Sequence, residues 1–221
     1  MNVSLGGALR LVFQSVDDRS LDDASPAAAR IPKIEFVAFG EECILSGRIP
    51  MGAERLTDAL NGNDRYELVD VAVERLSDGV AMDISGLIVS RDELLLVQAS
   101  GPRGNVERRR RKRLHPVALQ LGSYQVRGYL HALPGVDPVL SIRRRKAMIP
   151  LTDAWVEFES AAGPRRQRFQ TVLVNRDRID WIVQLAEGDV ELRQVPLETD
   201  PAGPPGKDFA SAILEAGLGT S

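Results

Sequence analysis

Two stretches of this chain are written to one plan, and that repetition limits what it can fold into more than any other feature. Residues 86–99 read GLIVSRDELLLVQA and residues 171–185 read TVLVNRDRIDWIVQL. Each has an apolar β-rich run, a polar residue followed by Arg and Asp (Ser90, Arg91, Asp92; Asn175, Arg176, Asp177), and a second apolar run. Asn and Asp at a short interruption tolerate turn conformations and bond the local backbone, so each stretch predicts a strand, turn, strand unit. The correspondence extends backwards. Residues 67–74 (ELVDVAVE) lie over 150–157 (PLTDAWVE), and 45–49 (LSGRI) over 126–130 (VRGYL). The offset is 81 residues at Gly47 and Gly128, 83 at Asp70 and Asp153, and 85 at Asp92 and Asp177, as two short loop insertions would produce. A repeat present twice is too few for a solenoid or propeller. The expectation is a mainly β protein of two tandem small β-barrel or sandwich-like domains, with a short helix each at most and a C-terminal helix.

In chain order, residues 1–33 form an N-terminal segment and an acidic connector containing Asp17, Asp18, Asp22 and Asp23. Residues 34–100 make the first β domain. It holds a hairpin turning at Gly40, a helix over ERLTDALN (54–61) ended by Asn61-Gly62, and a strand over 66–76. In that strand Leu68, Asp70, Ala72 and Glu74 alternate with Val69, Val71 and Val73, which suits one buried face. Residues 101–115 carry glycine, proline and a basic run and form the boundary. Residues 116–196 make the second β domain, with hairpins at Gly122-Ser123 and over 161–164. Residues 197–221 combine a Pro/Gly-rich linker with a short amphipathic helix carrying Phe209, Ile213 and Leu214.

The words ERLTDALN (54–61), PLTDAWV (150–156) and VNRDRIDWIV (174–183) resemble a small bacterial domain family of unknown function, whose pattern joins an RLSD.LN helix, a PLTDA.V strand and a VNR..I.WV hairpin. The resemblance covers roughly residues 35 to 185; it implies unity of fold and a bacterial origin, and assigns no activity. A looser likeness is to Sm-like RNA-binding barrels, in the turn joining the last two strands. Asp92 and Asp177 stand where such proteins usually carry glycine, and the Asp/Asn signature of that family is not recognisable.

Few residues are equipped for chemistry. The single cysteine, Cys43, lies beside Glu41 and Glu42, which disfavour a thiolate, and it has no partner for an internal disulfide. The two histidines, His115 and His131, belong to no Cys/His cluster with zinc spacing and to no nucleophile motif. Asp70 and Asp153 could be imagined as paired carboxylates, but as matched members of a repeat they read better as strand-entry or capping residues. For Trp155 and Trp181 core packing is the default. The reading is therefore non-enzymatic, with no catalytic residue, metal or cofactor and no small-molecule substrate. The N-terminus is a poor signal peptide and no uncharged run is long enough for a bilayer, so no membrane and a cytoplasmic location are expected.

Charge is the one feature far from average. Residues 1–101 hold 9 basic and 17 acidic side chains, whereas residues 102–150 hold 12 basic and 2 acidic. The basic groups fall in two clusters, Arg108, Arg109, Arg110, Arg111, Lys112 and Arg113, then Arg143, Arg144, Arg145 and Lys146. Clustered arginine suits bidentate contact with phosphate or carboxylate. Aromatics are only 5% of the chain and none interleaves these runs, so platforms for stacking bases are lacking. The sequence thus predicts an interaction or scaffolding module acting through a protein partner or self-association. An anion or nucleic-acid-binding role for the basic linker and loop is the alternative.

Overall fold

The computed structural model describes residues 31–101 and 112–190, all within one compact unit. The first half runs β1 (Lys33–Phe39), β2 (Cys43–Pro50), α1 (Leu56–Gly62), β3 (Arg65–Arg75), β4 (Ala81–Ser90) and β5 (Leu96–Gln98). The second runs β6 (Arg113–Leu121), β7 (Tyr124–Ala132), α2 (Pro138–Ile142), β8 (Met148–Ser160), β9 (Gly163–Asn175) and β10 (Trp181–Gln184). A 3-10 turn joins β4 to β5 (Arg91–Glu93) and another joins β9 to β10 (Arg176–Arg178). The order of elements is the same in both halves. The N-terminal segment and the C-terminal helix expected from sequence lie outside the described residues.

All ten strands join one antiparallel sheet in the order β10-β6-β7-β8-β9-β5-β1-β2-β3-β4. This corrects the expectation of barrels: neither half closes on itself, because the fifth strand of the first half pairs with both β1 and β9. The strands on either side of residues 101–115 therefore share a sheet. The strand, turn, strand units are present, but their two strands do not pair with each other. The 3-10 turn carries the chain from one edge of a half to the other, so β5 lies on β1 and β10 on β6.

Each half contains one bulge that decides which side chains face inward. In β3 the buried residues are Tyr66 and Leu68, then Val71 and Val73. Their parity switches at Asp70, which adopts φ +52 while the register to β2 slips between Ser46 and Arg48. In β8 Ile149 and Leu151 are buried, then Ala154, Val156 and Phe158; the switch is at Asp153, φ +47, with a slip between Arg127 and Tyr129. One extra residue returns the apolar set to the core face, which strict alternation would have turned outward. The two aspartates are thus mid-strand bulge residues rather than strand-entry caps. Gly47 and Gly128 sit opposite. A Cβ on Gly47 would lie 3.1 Å from the Val69 carbonyl oxygen, and one on Gly128 would lie 3.1 Å from Ala154 Cα and 3.2 Å from the Thr152 oxygen.

The core of the first half, with Phe36, Leu45, Leu60, Leu68 and Leu87, also takes in Met148 and Leu173 from the second. On the other side Phe39 of β1 packs edge-on against Tyr124, Phe158 and Phe169, with ring centroids 5.8–5.9 Å apart. Tyr124 is fully buried and its hydroxyl donates to the Gly40 carbonyl at 2.8 Å, so the polar tip of this large ring is satisfied by the opposite half.

Candidate functional site: a seam between halves and a basic groove beside it

Two features carry functional interest, and they adjoin. The first is the seam where β5 meets β9, with Leu96 opposite Val174, Val97 opposite Leu173 and Gln98 opposite Val172. All of these except Gln98 are essentially without solvent exposure. Asn175 closes one end. Its backbone N–H donates to the Leu95 carbonyl at 2.9 Å, and its side-chain amide donates to the carbonyls of Arg91 at 3.0 Å and Leu94 at 2.9 Å. It is the single buried polar residue among the described ones; it satisfies the Leu94 carbonyl and adds a second donor to the Arg91 carbonyl, which also accepts from Leu94 N–H within the 3-10 turn. Asn61, at the end of α1, clamps the start of β8. Its amide donates to the Met148 carbonyl at 3.0 Å and its side-chain oxygen accepts from Met148 N–H at 2.9 Å.

Beside the Asn61 clamp lies an open groove with walls from both halves. It is lined by Arg55 and Asp58 of the first half and by Lys112, Arg144, Arg145 and Lys146 of the second; Leu56, Met148 and Ile149 contribute apolar surface. Of the two basic clusters read from sequence, the structure brings together Lys112 from the first and Arg144, Arg145 and Lys146 from the second. Arg108, Arg109, Arg110 and Arg111 lie outside the described residues. Arg113 opens β6 opposite Ala132, and Arg143 follows α2; both are exposed, and neither lines the groove.

The cations are not equivalent. Arg144, Lys146 and Lys112 are exposed. Arg145 is half-buried and its guanidinium is engaged, donating to the His131 carbonyl at 2.6 Å and to Ser141 Oγ at 3.2 Å. Its own carbonyl accepts from Arg176. Burial pushes the pKa of Arg145 below its ordinary value. His131 lies in the same wall, with Nε2 3.0 Å from Thr152 Oγ1. Burial first, then the charges of Lys112 and Arg145, lower its pKa, so the neutral ring is favoured there. Two carboxylates, Asp58 and Asp153, also line the groove and moderate its charge.

Cys43 is buried and its thiol is pushed up to about 11, chiefly by burial and further by Glu42 and Glu93. Trp155 is half-buried rather than in the core, with the Arg166 guanidinium 4.4 Å from its ring centroid and Arg168 at 5.7 Å. Trp181 departs from the core expectation too, being 45% exposed on β10. Among the described residues no group of three or more His, Cys, Asp or Glu is placed to hold a metal ion, and no helix is long and apolar enough to cross a membrane. Sequence reasoning missed Asn61 and Asn175 as seam residues; the one signal for the latter is that it replaces Ser90 at the matched position.

No protein-family model, curated protein or solved structure matches this chain.

Proposed function

We propose that this protein is a non-catalytic interaction or scaffolding module built from a duplicated β unit, which works by adding strands to a sheet. The observation that carries the reading is the β5–β9 seam, where two units of like element order are joined by strand pairing between their edges. Open strand edges are templates for such pairing. The test is an unbiased metabolite screen with the purified protein. No turnover is expected, and turnover of any compound that follows the protein through purification would sink the reading.

A second reading has its own support in the groove that gathers Lys112, Arg144 and Lys146 as exposed cations. In it the groove binds an anionic partner, nucleic acid being the chemistry best matched to clustered Arg and Lys. Replacing Lys112, Arg144 and Lys146 together with Gln should weaken retention on immobilised nucleic acid and flatten its salt dependence. Unchanged retention would remove this reading.

A further inference from the structure

We infer that this chain assembles head to tail with copies of itself, β10 of one molecule pairing antiparallel with β4 of the next in the register of the internal β5–β9 seam. The inference rests on the scaffolding reading and names its partner.

Translating the seam by the 85-residue offset gives the argument. Leu96 and Val97 of β5 correspond to Trp181 and Ile182 of β10, and Leu173 and Val174 of β9 correspond to Ile88 and Val89 of β4. The two strand positions joined inside the chain therefore recur as the two ends of the sheet. At the seam Leu96 and Leu173 are fully buried. At the ends their counterparts stay apolar yet uncovered, Trp181 at 45% and Ile88 at 38% exposure. Val183, the counterpart of Gln98, is 48% exposed. Asp83 lies near the start of β4 and β10 is only four residues long, but the residues that the register pairs, Leu87 to Val89 and Trp181 to Val183, carry none of the charges or prolines that discourage pairing. No charged residue or proline interrupts Ile84 to Ser90, nor the WIVQ of β10, and no described strand covers either edge.

Backbone polarity fits as well. Arg91 N–H donates to the Asp64 carbonyl at 2.8 Å, so in the alternation of an antiparallel ladder Val89 and Leu87 also turn to β3, and Ile88 and Ser90 turn outward. Leu185 N–H donates to the Pro116 carbonyl at 2.9 Å, so Val183 and Trp181 turn to β6 and Ile182 turns outward. The translated register places Ile182 opposite Ile88, with Trp181 opposite Val89 and Val183 opposite Leu87. The two outward-facing residues meet, as Val97 and Leu173 meet inside.

The outer junction differs from the seam in its clamps. Ser90 stands where Asn175 would be, and its shorter side chain cannot repeat the amide contacts. The association is accordingly reversible and concentration dependent, where the seam is permanent. Because β4 and β10 are different surfaces, the contact is heterologous and propagates to a closed ring or an open filament.

Ile88→Pro and Ile182→Pro each delete one outward N–H, which an edge strand tolerates because no internal hydrogen bond is lost. The full-length chain is followed by light scattering on a size-exclusion column over a rising concentration series, with circular dichroism and thermal melts to show that both variants fold. The expected result is that wild-type mass climbs beyond dimer, each variant alone stays monomeric, and an equal mixture of the two forms a dimer and nothing larger. A wild-type protein that stays monomeric throughout overturns the inference. So does a single variant that still dimerises by itself, which would mean β4 pairs with β4 or β10 with β10. Neither result bears on the outcome of the metabolite screen, so the scaffolding reading fails or survives separately. If a variant fails to fold, Ile88→Lys and Ile182→Lys take its place with the same expected masses.

Discussion

Asn175 donates its side-chain amide to the Leu94 carbonyl at 2.9 Å across the seam between the halves, 81 residues away in sequence. The bond is buried, and the same amide also satisfies Arg91, so one side chain completes a turn that belongs to the other half. Asn175→Ala takes the side-chain donor from the buried Leu94 carbonyl, while the Arg91 carbonyl keeps its bond from Leu94 N–H. A buried polar group left unsatisfied costs about 1–3 kcal/mol, and urea unfolding should show a loss of that size with an unchanged slope. Asn175→Ser should lose nearly as much, because its side chain is shorter than the amide and carries one donor hydrogen in place of two.

The bulge aspartates make a sharper test of backbone than of charge. Arg48 and Asp70 form an ion pair at 2.8 Å, but both side chains are more than half exposed, and such pairs contribute little. The left-handed backbone at Asp70 is the stronger constraint, because a residue with a Cβ pays roughly 1–2 kcal/mol to stay there and Asn, Asp and Gly tolerate it best. Asp70→Asn should be close to neutral and Asp70→Val should destabilise by about that amount. Deleting Asp70 altogether should keep Val71 and Val73 on the core face, in strict alternation with Leu68, and destabilise instead by shifting the β3–β4 register, which runs without a slip from Val69 opposite Gly86 to Val71 opposite Ile84. Denaturation midpoints of the three variants check the order.

Gly128→Ala should be more damaging than an ordinary surface change. Its new methyl would meet Ala154 Cα at 3.1 Å and the Thr152 carbonyl at 3.2 Å, and backbone yields poorly. Overpacking of this kind costs about 1–3 kcal/mol, read as a lowered thermal midpoint. Gly47→Ala should behave alike.

His131 gives the pH dependence a sign. Its folded pKa is lowered by burial and by Lys112 and Arg145, so protons bind the unfolded chain more readily. Its contribution is fully present above the unfolded value of about 6.5; as pH falls, stability is lost from there down to the lowered folded pKa. Comparing urea midpoints at mildly acidic and neutral pH for wild type and His131→Gln should show a smaller drop in the variant. An equal drop would assign the loss to other groups.

Cys43 should be inert in the folded protein. With its pKa pushed up to about 11 and the side chain buried, labelling by a thiol reagent at mildly alkaline pH should await unfolding. Fast labelling of native protein would contradict the buried placement.

The sequence is informative about local units and silent about their partners. The runs flanking Ser90-Arg91-Asp92 and Asn175-Arg176-Asp177 announce strand, turn, strand, and those elements are present. Nothing in them says that the second strand crosses to the far side of its half, because pairing is settled by long-range packing. The matched aspartates stand out in sequence, but strict alternation sets Leu68 on the face opposite Val71 and Val73, whereas the bulge buries all three. A bulge is a one-residue change of phase that an apolar pattern hides. In the basic clusters, charge alone could not separate Arg145, tied to the His131 carbonyl, from the exposed Arg144 and Lys146 beside it.

The seam also sets a timetable for the growing chain. Residues 96–98, which become β5, leave the ribosome before residues 172–174, which will cover them, have been made. At about 5–20 residues per second the gap lasts roughly 4–15 s. Throughout that interval the first half carries an uncovered, uncharged edge of Leu96 and Val97. Neighbouring chains on one message present the matching β9 segment at the same time. Crowded synthesis therefore favours exchange of second halves between sister chains, and slower initiation should raise the yield of correctly closed protein.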